Sequence, residues 1–317
     1  MNLDAPLIDS AIERKPIVVS PQTPLLEIIL LMNQHQVHIE SDSQKNSPSS
    51  CSCVLVMEGK ELLGIFTERD IVRLTAKDVN FEQLKVAEVM IQPVITLDKS
   101  AFNDIFAVLF LFRRYRIRHL PILDDNSQII GIVSPESIRK VLRPDNFLKM
   151  RRVADVMTNN VISAPTTASV LEIAQLMAER KVSCVVITLD DSEEDWQSIS
   201  ANPVGIITER DIVQFQALQM NLAEIQAQTV MSSPLFLLSP EDSLWTAHQE
   251  MQQRHVRRLV VSWNWGKGLG IVTLTSLLKI FDPIEMYSVI QTLQQTIEQL
   301  ETEKAQLLEQ LTVNSEQ

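Results

Sequence analysis

Residues 64–72 read GIFTERDIV, and residues 205–213 read GIITERDIV. Shorter variants of this stretch begin at Gly131 (GIVSPESI) and Gly270 (GIVTLTSL), so that the four glycines are 67, 74 and 65 residues apart. The whole chain has only seven glycines, well below the ordinary usage of about 7%. Four of the seven at one repeated position indicate a four-fold internal repeat.

A second shared block precedes three of the glycines. It reads VAEVM up to Met90, VADVM up to Met157 and TVM up to Met231, and we refer to it as the lead-in block. The first copy begins less recognisably, near KPIVV. Each copy then has the order of a short β-rich run, a helix, two strands and a second helix. The β-rich runs are predicted at residues 18–19, 94–95, 161–162 and 235–238.

The copies alternate in detail. Copies one and three share TERDIV and SCV, whereas copies two and four share GIV, a basic pair before a strand, and a serine (Ser137, Ser276) where the others have aspartate. This alternation predicts two pseudo-symmetric modules that divide near residues 145–150, with the RPDNFLKM stretch around Pro144 as the linker. The polar segments 41–50 and 190–203 are predicted surface loops.

Composition limits the class of protein. The 317 residues are 45% apolar, enough for two domains with cores of their own. The formal net charge of −12 disfavours binding to nucleic acid or to an anionic membrane. Three cysteines without CxxC spacing suggest neither a disulfide framework nor a thiolate zinc site. We expect a cytoplasmic protein without targeting signal, membrane span or metal.

Taken together, the four GI(V/F/I)(T/S) segments, the lead-in blocks and the RHLPIL strand resemble the cystathionine β-synthase (CBS) domain family. The resemblance implies a mixed α/β fold of β-α-β-β-α repeats that pair into two Bateman modules. It also implies a regulatory protein, not an enzyme, which binds adenosine nucleotides between paired copies and requires no cofactor. The implied repeats are residues 8–76, 86–143, 150–219 and 228–281.

The two TERD motifs have a structural and a functional interpretation. At a strand-to-helix transition, Thr67 with Asp70 and Thr208 with Asp211 form a variant of the capping box. A carboxylate can also accept hydrogen bonds from both ribose hydroxyls, and a helix start attracts phosphate. The resemblance implies that both aspartates bind ribose and that both threonines face the ribose and phosphate region.

The resemblance further implies that the partner copy completes each cleft. In the Asp70 cleft the partner residues are Val94 and Ile95 near the base, with Arg118 and His119 toward phosphate. In the Asp211 cleft they are Ser232, Leu235, Arg257 and Arg258. A solvated surface is the alternative for the basic pairs, but their repeated position in an acidic chain favours an anion site. Because Ser137 and Ser276 replace the aspartate, we predict one nucleotide cleft per module.

Two further patterns concern packing. Cys53 and Cys184 fall at matching strand positions and are predicted to be buried thiols. The helix around residues 102–112 is apolar nearly all round, which predicts burial on several sides, against another copy or a second subunit. The histidines show no spacing typical of a metal site.

From Met286 to Leu311 apolar residues recur at steps of four and three, with Lys304 in the one gap. This heptad pattern predicts a coiled coil over residues 284–312, about 40 Å long. A parallel homodimer is the favoured arrangement, and a helix packed against its own domain is the alternative.

The sequence thus predicts a homodimeric sensor of AMP-, ADP- or ATP-type ligands. The coiled coil would relay its state to an output domain or partner, a layout similar to the sensor regions of bacterial signal-transduction proteins. Two alternatives remain: a ligand-free CBS dimerisation scaffold, or the sensor fragment of a larger kinase or cyclase.

Overall fold

The computed structural model of this chain describes residues 9–41, 52–101, 105–142, 145–189, 202–264 and 268–281. Within these ranges four three-stranded sheets recur with helices around them, and the predicted mixed α/β fold of tandem repeats is confirmed. The predicted coiled coil, residues 284–312, lies outside the described residues.

The first copy shows the topology common to all four. Its first strand is parallel to the second, and the second is antiparallel to the third. Buried residues at helical spacing, Leu25, Ile28, Ile29 and Met32, pack the first helix against this sheet. The elements are β1 (Ile17–Val19), α1 (Leu25–Ser41), β2 (Cys53–Glu58), β3 (Glu61–Thr67) and α2 (Glu68–Thr75).

The other copies repeat this order. Copy two contains β4 (Leu97–Asp98), α3 (Ile105–Tyr115), β5 (Leu120–Leu123), β6 (Ile129–Val133) and α4 (Pro135–Leu142), followed by α5 (Asp145–Met150). Copy three contains β7 (Ser163–Pro165), α6 (Val170–Arg180), β8 (Cys184–Leu189), β9 (Asn202–Thr208) and α7 (Glu209–Ala217). Copy four contains α8 (Ala227–Val230), β10 (Leu237–Leu238), α9 (Leu244–Gln253), β11 (Arg258–Trp263), β12 (Gly268–Thr273) and α10 (Leu274–Leu277). Short 3₁₀ helices are formed by Phe81–Gln83, Val86–Glu88, Lys99–Ala101, Val153–Asp155 and Leu278–Phe281.

Two of the predicted β-rich runs were placed too early. Residues 94–95 and 161–162 precede the first strands of copies two and three instead of forming them. The reason in copy two is that the chain is still paired with copy one: Ile91 and Ile65 exchange both backbone hydrogen bonds, at 2.8 and 3.1 Å. Val94 and Ile95 are therefore left between two copies, where they can line a cleft.

The repeated glycines are explained by this crossing of the chain between paired copies. Each lead-in methionine packs on the glycine of its partner copy, as Met90 does on Gly64 and Met231 on Gly205. A Cβ built on Gly64 would lie only 2.7 Å from Met90 Cγ, which is too close for a side chain. The two repeated sequence blocks are thus the two halves of one contact, and that contact pairs copy one with two and copy three with four.

Helices join the two modules. Helix α2 packs against α6 and α7, and α1 packs against α7, so that copy one faces copy three. Val72 of α2 is part of the core of copy three, while Val213 of α7 is part of the core of copy one. Because each module buries apolar side chains in the core of the other, the two are continuous.

The stretch predicted as a linker is also part of the core. Residues 145–150 form helix α5, which packs against α9 of copy four, and Leu148 is completely buried. Helix α3 is buried in part. Ile105, Val108 and Phe112 lie in a core that copies two and four share, whereas Phe110 is 64% exposed in the single chain.

The predicted buried thiols are confirmed. Cys53 and Cys184 begin β2 and β8, each paired with the threonine of the TERD motif that follows, and both are buried.

Candidate nucleotide-binding clefts

The capping interaction fixes the carboxylate of Asp70. Strand β3 ends at Thr67, and both the backbone N–H and the hydroxyl of Thr67 donate hydrogen bonds to Asp70 Oδ2, at 3.0 and 2.7 Å. The local sequence explains this geometry, because a threonine before a helix with an acidic residue three positions later forms such a box. Aspartate serves where glutamate is usual, and its short side chain stays close to the helix start.

The second oxygen of this carboxylate points to another partner. Asp70 Oδ1 accepts a hydrogen bond from Arg73 Nη1 at 3.1 Å, although Arg73 itself is half exposed. Burial raises the pKa of Asp70 above its ordinary value, and the bonds from Thr67 and the charge of Arg73 oppose this rise. Asp70 Oδ1 is thus held by a side chain that is itself partly in solvent.

A cleft of about 150 Å³ opens beside Asp70, between copies one and two. The lining includes every residue predicted for this cleft: Thr67, Asp70, Val94, Ile95, Arg118 and His119. Apolar side chains of the partner copy thus line the same cavity as the carboxylate, together with several guanidinium groups. Apolar walls beside convergent polar and charged groups are typical of a small-molecule site.

The position of His119 in the basic pair implies a positive charge, which the structure does not support. Its Nε2 lies 2.6 Å from the Ser52 hydroxyl. Burial, followed by the charges of Arg118, Arg257 and Arg69, lowers the pKa of His119 to about 3. At neutral pH the ring is therefore uncharged, and it offers the cleft a neutral hydrogen-bonding group.

Arg118 meets a carboxylate from the other module. Its Nη2 donates to Glu209 Oε2 at 2.7 Å and to Oε1 at 3.0 Å, and Arg69 Nε lies 3.4 Å from the same Oε1. Glu209 is the first residue of α7, and its side chain is only 1% exposed, yet it lines the Asp70 cleft. Sequence reasoning missed this residue, because no pattern in a single copy shows which helices of the two modules meet.

Sequence reasoning also missed the other polar groups of the cleft. Ser52, Arg69, Arg73 and Arg116 all line it. Arg69 and its counterpart Arg210 stand at the third position of both TERD motifs, and this repetition is a signal that could have identified Arg69.

The second module repeats the arrangement around Asp211. The Thr208 N–H donates to Asp211 Oδ2 at 2.7 Å, and the Asp211 N–H lies 3.4 Å from Thr208 Oγ1. Burial raises the pKa of Asp211 too, opposed by hydrogen bonds from Thr208 and by the charge of Arg258. Where the first module has His119 beside Ser52, the second has Arg258, which donates to the backbone carbonyl of Ser183. This position of the second module therefore carries a charged group where the first module has a neutral one.

The other predicted residues of the second cleft are partly brought together. Ser232 exchanges both backbone hydrogen bonds with Ile206 of β9, at 3.0 and 3.2 Å. Leu235 packs against the small core cluster that includes buried Cys184. Arg257 is directed elsewhere: its Nη2 lies 3.1 Å from Glu136 Oε2 of copy two. The second basic pair is thus divided between the cleft and the contact between copies two and four.

The described residues contain no group of three or more His, Cys, Asp and Glu side chains that could hold a metal ion. Among the same residues no helix is both long and apolar enough to cross a membrane.

This repeated topology and its paired clefts define a known class of domain. The chain belongs to the CBS domain family, whose model matches residues 8–77, 86–144, 153–217 and 227–282. Tandem domains of this family pair to form modules. Here copies one and two are paired through the backbone bridge between Ile65 of β3 and Ile91.

The solved structures include proteins of very similar architecture. Protein MJ1225 of Methanocaldococcus jannaschii has a TM-score of 0.68 and 20% identity, over 86% of this chain and 98% of that one. A conserved protein of Pyrococcus horikoshii has a TM-score of 0.55 and 14% identity, over 86% of this chain and 97% of that one. At these identities the likeness establishes the fold.

Among curated sequences, a protein of Methanopyrus kandleri is 33% identical over 129 residues, which are 40% of this chain and 61% of that protein. The chain spans about three fifths of the length of this protein and of two other curated relatives that it matches.

Proposed function

We propose that this chain is a regulatory protein that binds an adenosine nucleotide in one cleft of each module, and that it is not itself a catalyst. The modules would comprise the repeats at 8–76 with 86–143 and at 150–219 with 228–281. The observation that carries the proposal is the Asp70 cleft, where six residues from two copies of the repeat line one cavity. M. jannaschii MJ1225, described as a candidate archaeal homologue of γ-AMPK, is compatible with it.

Each part of such a ligand has a counterpart in the Asp70 cleft. Asp70 Oδ1 would accept a ribose hydroxyl in place of Arg73, because Arg73 is half exposed and a long charged side chain can keep its head group in water. Val94 and Ile95 provide an apolar surface for the base. Arg118, together with Arg69, would donate to phosphate, since guanidinium groups form strong charge-assisted hydrogen bonds.

The Asp211 cleft would bind a ligand in the same orientation. Thr208 holds its carboxylate as Thr67 holds that of Asp70. Ser232 and Leu235 would take the place of Val94 and Ile95, and Arg258 would face the phosphate, with Arg257 nearby. In the even copies Ser137 and Ser276 occupy the aspartate position, where they are buried and their N–H groups donate to the hydroxyls of Ser134 and Thr273. A hydroxyl cannot replace a carboxylate toward two ribose hydroxyls.

The proposal also includes how the bound state is passed on. Ligand binding would change the geometry of a module, and a homodimeric coiled coil over residues 284–312 would pass the change to an output domain or partner. A ligand can shift such an equilibrium only through different affinities for the two states.

The test is thermal unfolding of the purified chain with adenosine, AMP, ADP, ATP and S-adenosylmethionine. A ligand that binds only the folded state stabilises it by about 2.7 kcal/mol at a hundred times its dissociation constant. We expect one or more of these compounds to raise the melting temperature, and the Asp70→Ala/Asp211→Ala double variant to lose the rise.

The matched control is Ser137→Ala/Ser276→Ala, which removes side chains from the same cap position in the even copies. It should retain the full ligand-induced rise despite some loss of stability. No rise with any compound would favour a ligand-free scaffold, and an equal rise in both double variants would refute the assignment of the clefts.

A further inference from the structure

Glu209 is buried, although glutamate side chains are usually exposed in folded proteins. It comes from the second module, but its side chain is buried in the wall of the first module's cleft, at 1% exposure. Its two oxygens lie 2.7 and 3.0 Å from Arg118 Nη2. Arg118 is 29% exposed, so that the same guanidinium group is accessible from the cleft.

The charges of the cleft are almost balanced. Its lining contains four guanidinium groups, on Arg69, Arg73, Arg116 and Arg118, and three carboxyl groups, on Glu68, Asp70 and Glu209. Arg73 is bound to Asp70, and Arg118 is bound to Glu209. His119 adds no charge at neutral pH, because its pKa is lowered to about 3 by burial. A phosphate that binds Arg118 or Arg73 therefore competes with a carboxylate that already holds that guanidinium group.

Phosphate and carboxylate oxygens form the same kind of bond with a guanidinium group. If phosphate takes Arg118, Glu209 keeps only Arg69 at 3.4 Å and the more distant charge of Arg258. A buried carboxylate that loses a partner is strongly destabilised, because it is not rehydrated in exchange.

We propose that Glu209 is a specificity-determining residue of the Asp70 cleft, which limits the negative charge of the bound ligand by competing with phosphate for Arg118. The preferred ligand is an adenosine compound with one phosphate or none. Each further phosphate adds less affinity than it would if Arg118 had no carboxylate partner. This inference rests on the proposed function. It adds to that function the charge of the preferred ligand and the residue that selects for this charge.

The protonation state of Glu209 agrees with this role. Burial alone raises its pKa, but Arg118, Arg69 and Arg258 outweigh burial and leave the pKa below its ordinary value. Glu209 is thus a carboxylate at neutral pH. Glu209 belongs to α7, which also packs against α1 and α2 of copy one. Displacement of Glu209 by a phosphate would therefore change the contact between the two modules.

The experiment measures dissociation constants for adenosine, AMP, ADP and ATP by calorimetry. An Asp211→Ala background leaves only the Asp70 cleft to bind. In this background Glu209→Gln removes the charge and keeps the shape. We expect adenosine affinity to stay within about twofold, and ATP affinity to increase on the order of tenfold, as expected for a hydrogen bond between charged groups. AMP and ADP should fall between these limits.

The control is Glu250→Gln, which removes an equal charge from a carboxylate that pairs with Arg254 outside this cleft. It should leave all four affinities unchanged. Because Glu209→Gln breaks a buried pair, circular dichroism checks its folding. Glu209→Asp keeps the charge on a shorter side chain and should show an ATP-to-adenosine affinity ratio between those of the parent and of Glu209→Gln.

The outcomes separate the two proposals. Binding with an unchanged ATP-to-adenosine ratio in both Glu209 variants would overturn the role of Glu209 and leave the nucleotide cleft intact. If none of the four compounds binds the unmodified chain, the proposed function fails, and the role of Glu209 fails with it.

Discussion

Single residues determine how the two copies of a module fit together. Gly131 illustrates this most sharply, because a Cβ built there would lie 2.5 Å from the backbone carbonyl oxygen of Glu13. That oxygen accepts a hydrogen bond from the Ile132 N–H at 3.0 Å, and the Glu13 N–H donates back to the Ile132 carbonyl at 2.8 Å. A backbone so held cannot move aside at low cost.

We therefore expect Gly131→Ala to lower the free energy of unfolding by about 1–3 kcal/mol, the usual cost of overpacking. Gly64→Ala should cost less, because its new Cβ meets the flexible side chain of Met90. Urea unfolding of both variants measures the difference. Equal stability of the Gly131 variant and the unmodified chain would show that the crossing segment is not packed as described.

His119 gives the protein a pH dependence of known sign. In the unfolded chain its pKa is about 6.5, whereas burial lowers it to about 3 in the folded chain. Between these values the unfolded state binds a proton that the folded state does not, so that stability falls as the pH falls.

The His119→Gln variant should lose less stability than the unmodified chain between pH 7 and pH 5. Glutamine can still form a hydrogen bond to Ser52, which makes the comparison one of charge. Free energies of unfolding in urea at both pH values provide the measurement. Identical losses in the two proteins would mean that the ring is protonated in the fold.

At the scale of elements, the TERD and related motifs each begin a helix after the last strand of a copy. Thr67 holds the carboxylate of Asp70 before α2, whereas Thr273 accepts a hydrogen bond from the Ser276 N–H at 3.0 Å before α10. The two caps have the same place in the fold, but only the first orients a carboxylate in a cleft.

Thr67→Ala and Thr273→Ala should each cost about 0.5–2 kcal/mol of stability, the usual effect of losing a cap. Only Thr67→Ala should also weaken AMP binding several-fold, because Asp70 then loses the hydroxyl that fixes it. Chemical unfolding and calorimetric titration give the two quantities. Equal AMP affinity in both variants would restrict Thr67 to a structural role.

The helices and strands were easier to predict from the sequence than the contacts between copies. Strand order, helix caps and the position of Asp70 follow from local patterns, and buried Cys53 and Cys184 follow from their repeated place. The strands of copies two and three start later than predicted, because Ile91 and Thr158 are each still bonded to the backbone of the partner copy. Apolar runs alone do not reveal such a long-range bond.

At the scale of the whole molecule, the two modules share their cores. Val72 and Val213 each pack in the core of the other module, and Leu148 of the predicted linker is buried between copies two and four. The sequence predicted which copies pair within a module, since the shared blocks alternate. It could not predict that copy one faces copy three, and for this reason it did not bring Glu209 to the Asp70 cleft.

The most direct measurement is the number of AMP molecules bound per chain, determined by calorimetric titration. We predict two for the unmodified chain, one for Asp70→Ala and one for Asp211→Ala, since each module has one aspartate-containing cleft. Four molecules per chain would mean that the serine-containing clefts bind as well. Two molecules in both variants would contradict the central claim that these aspartates define the nucleotide sites.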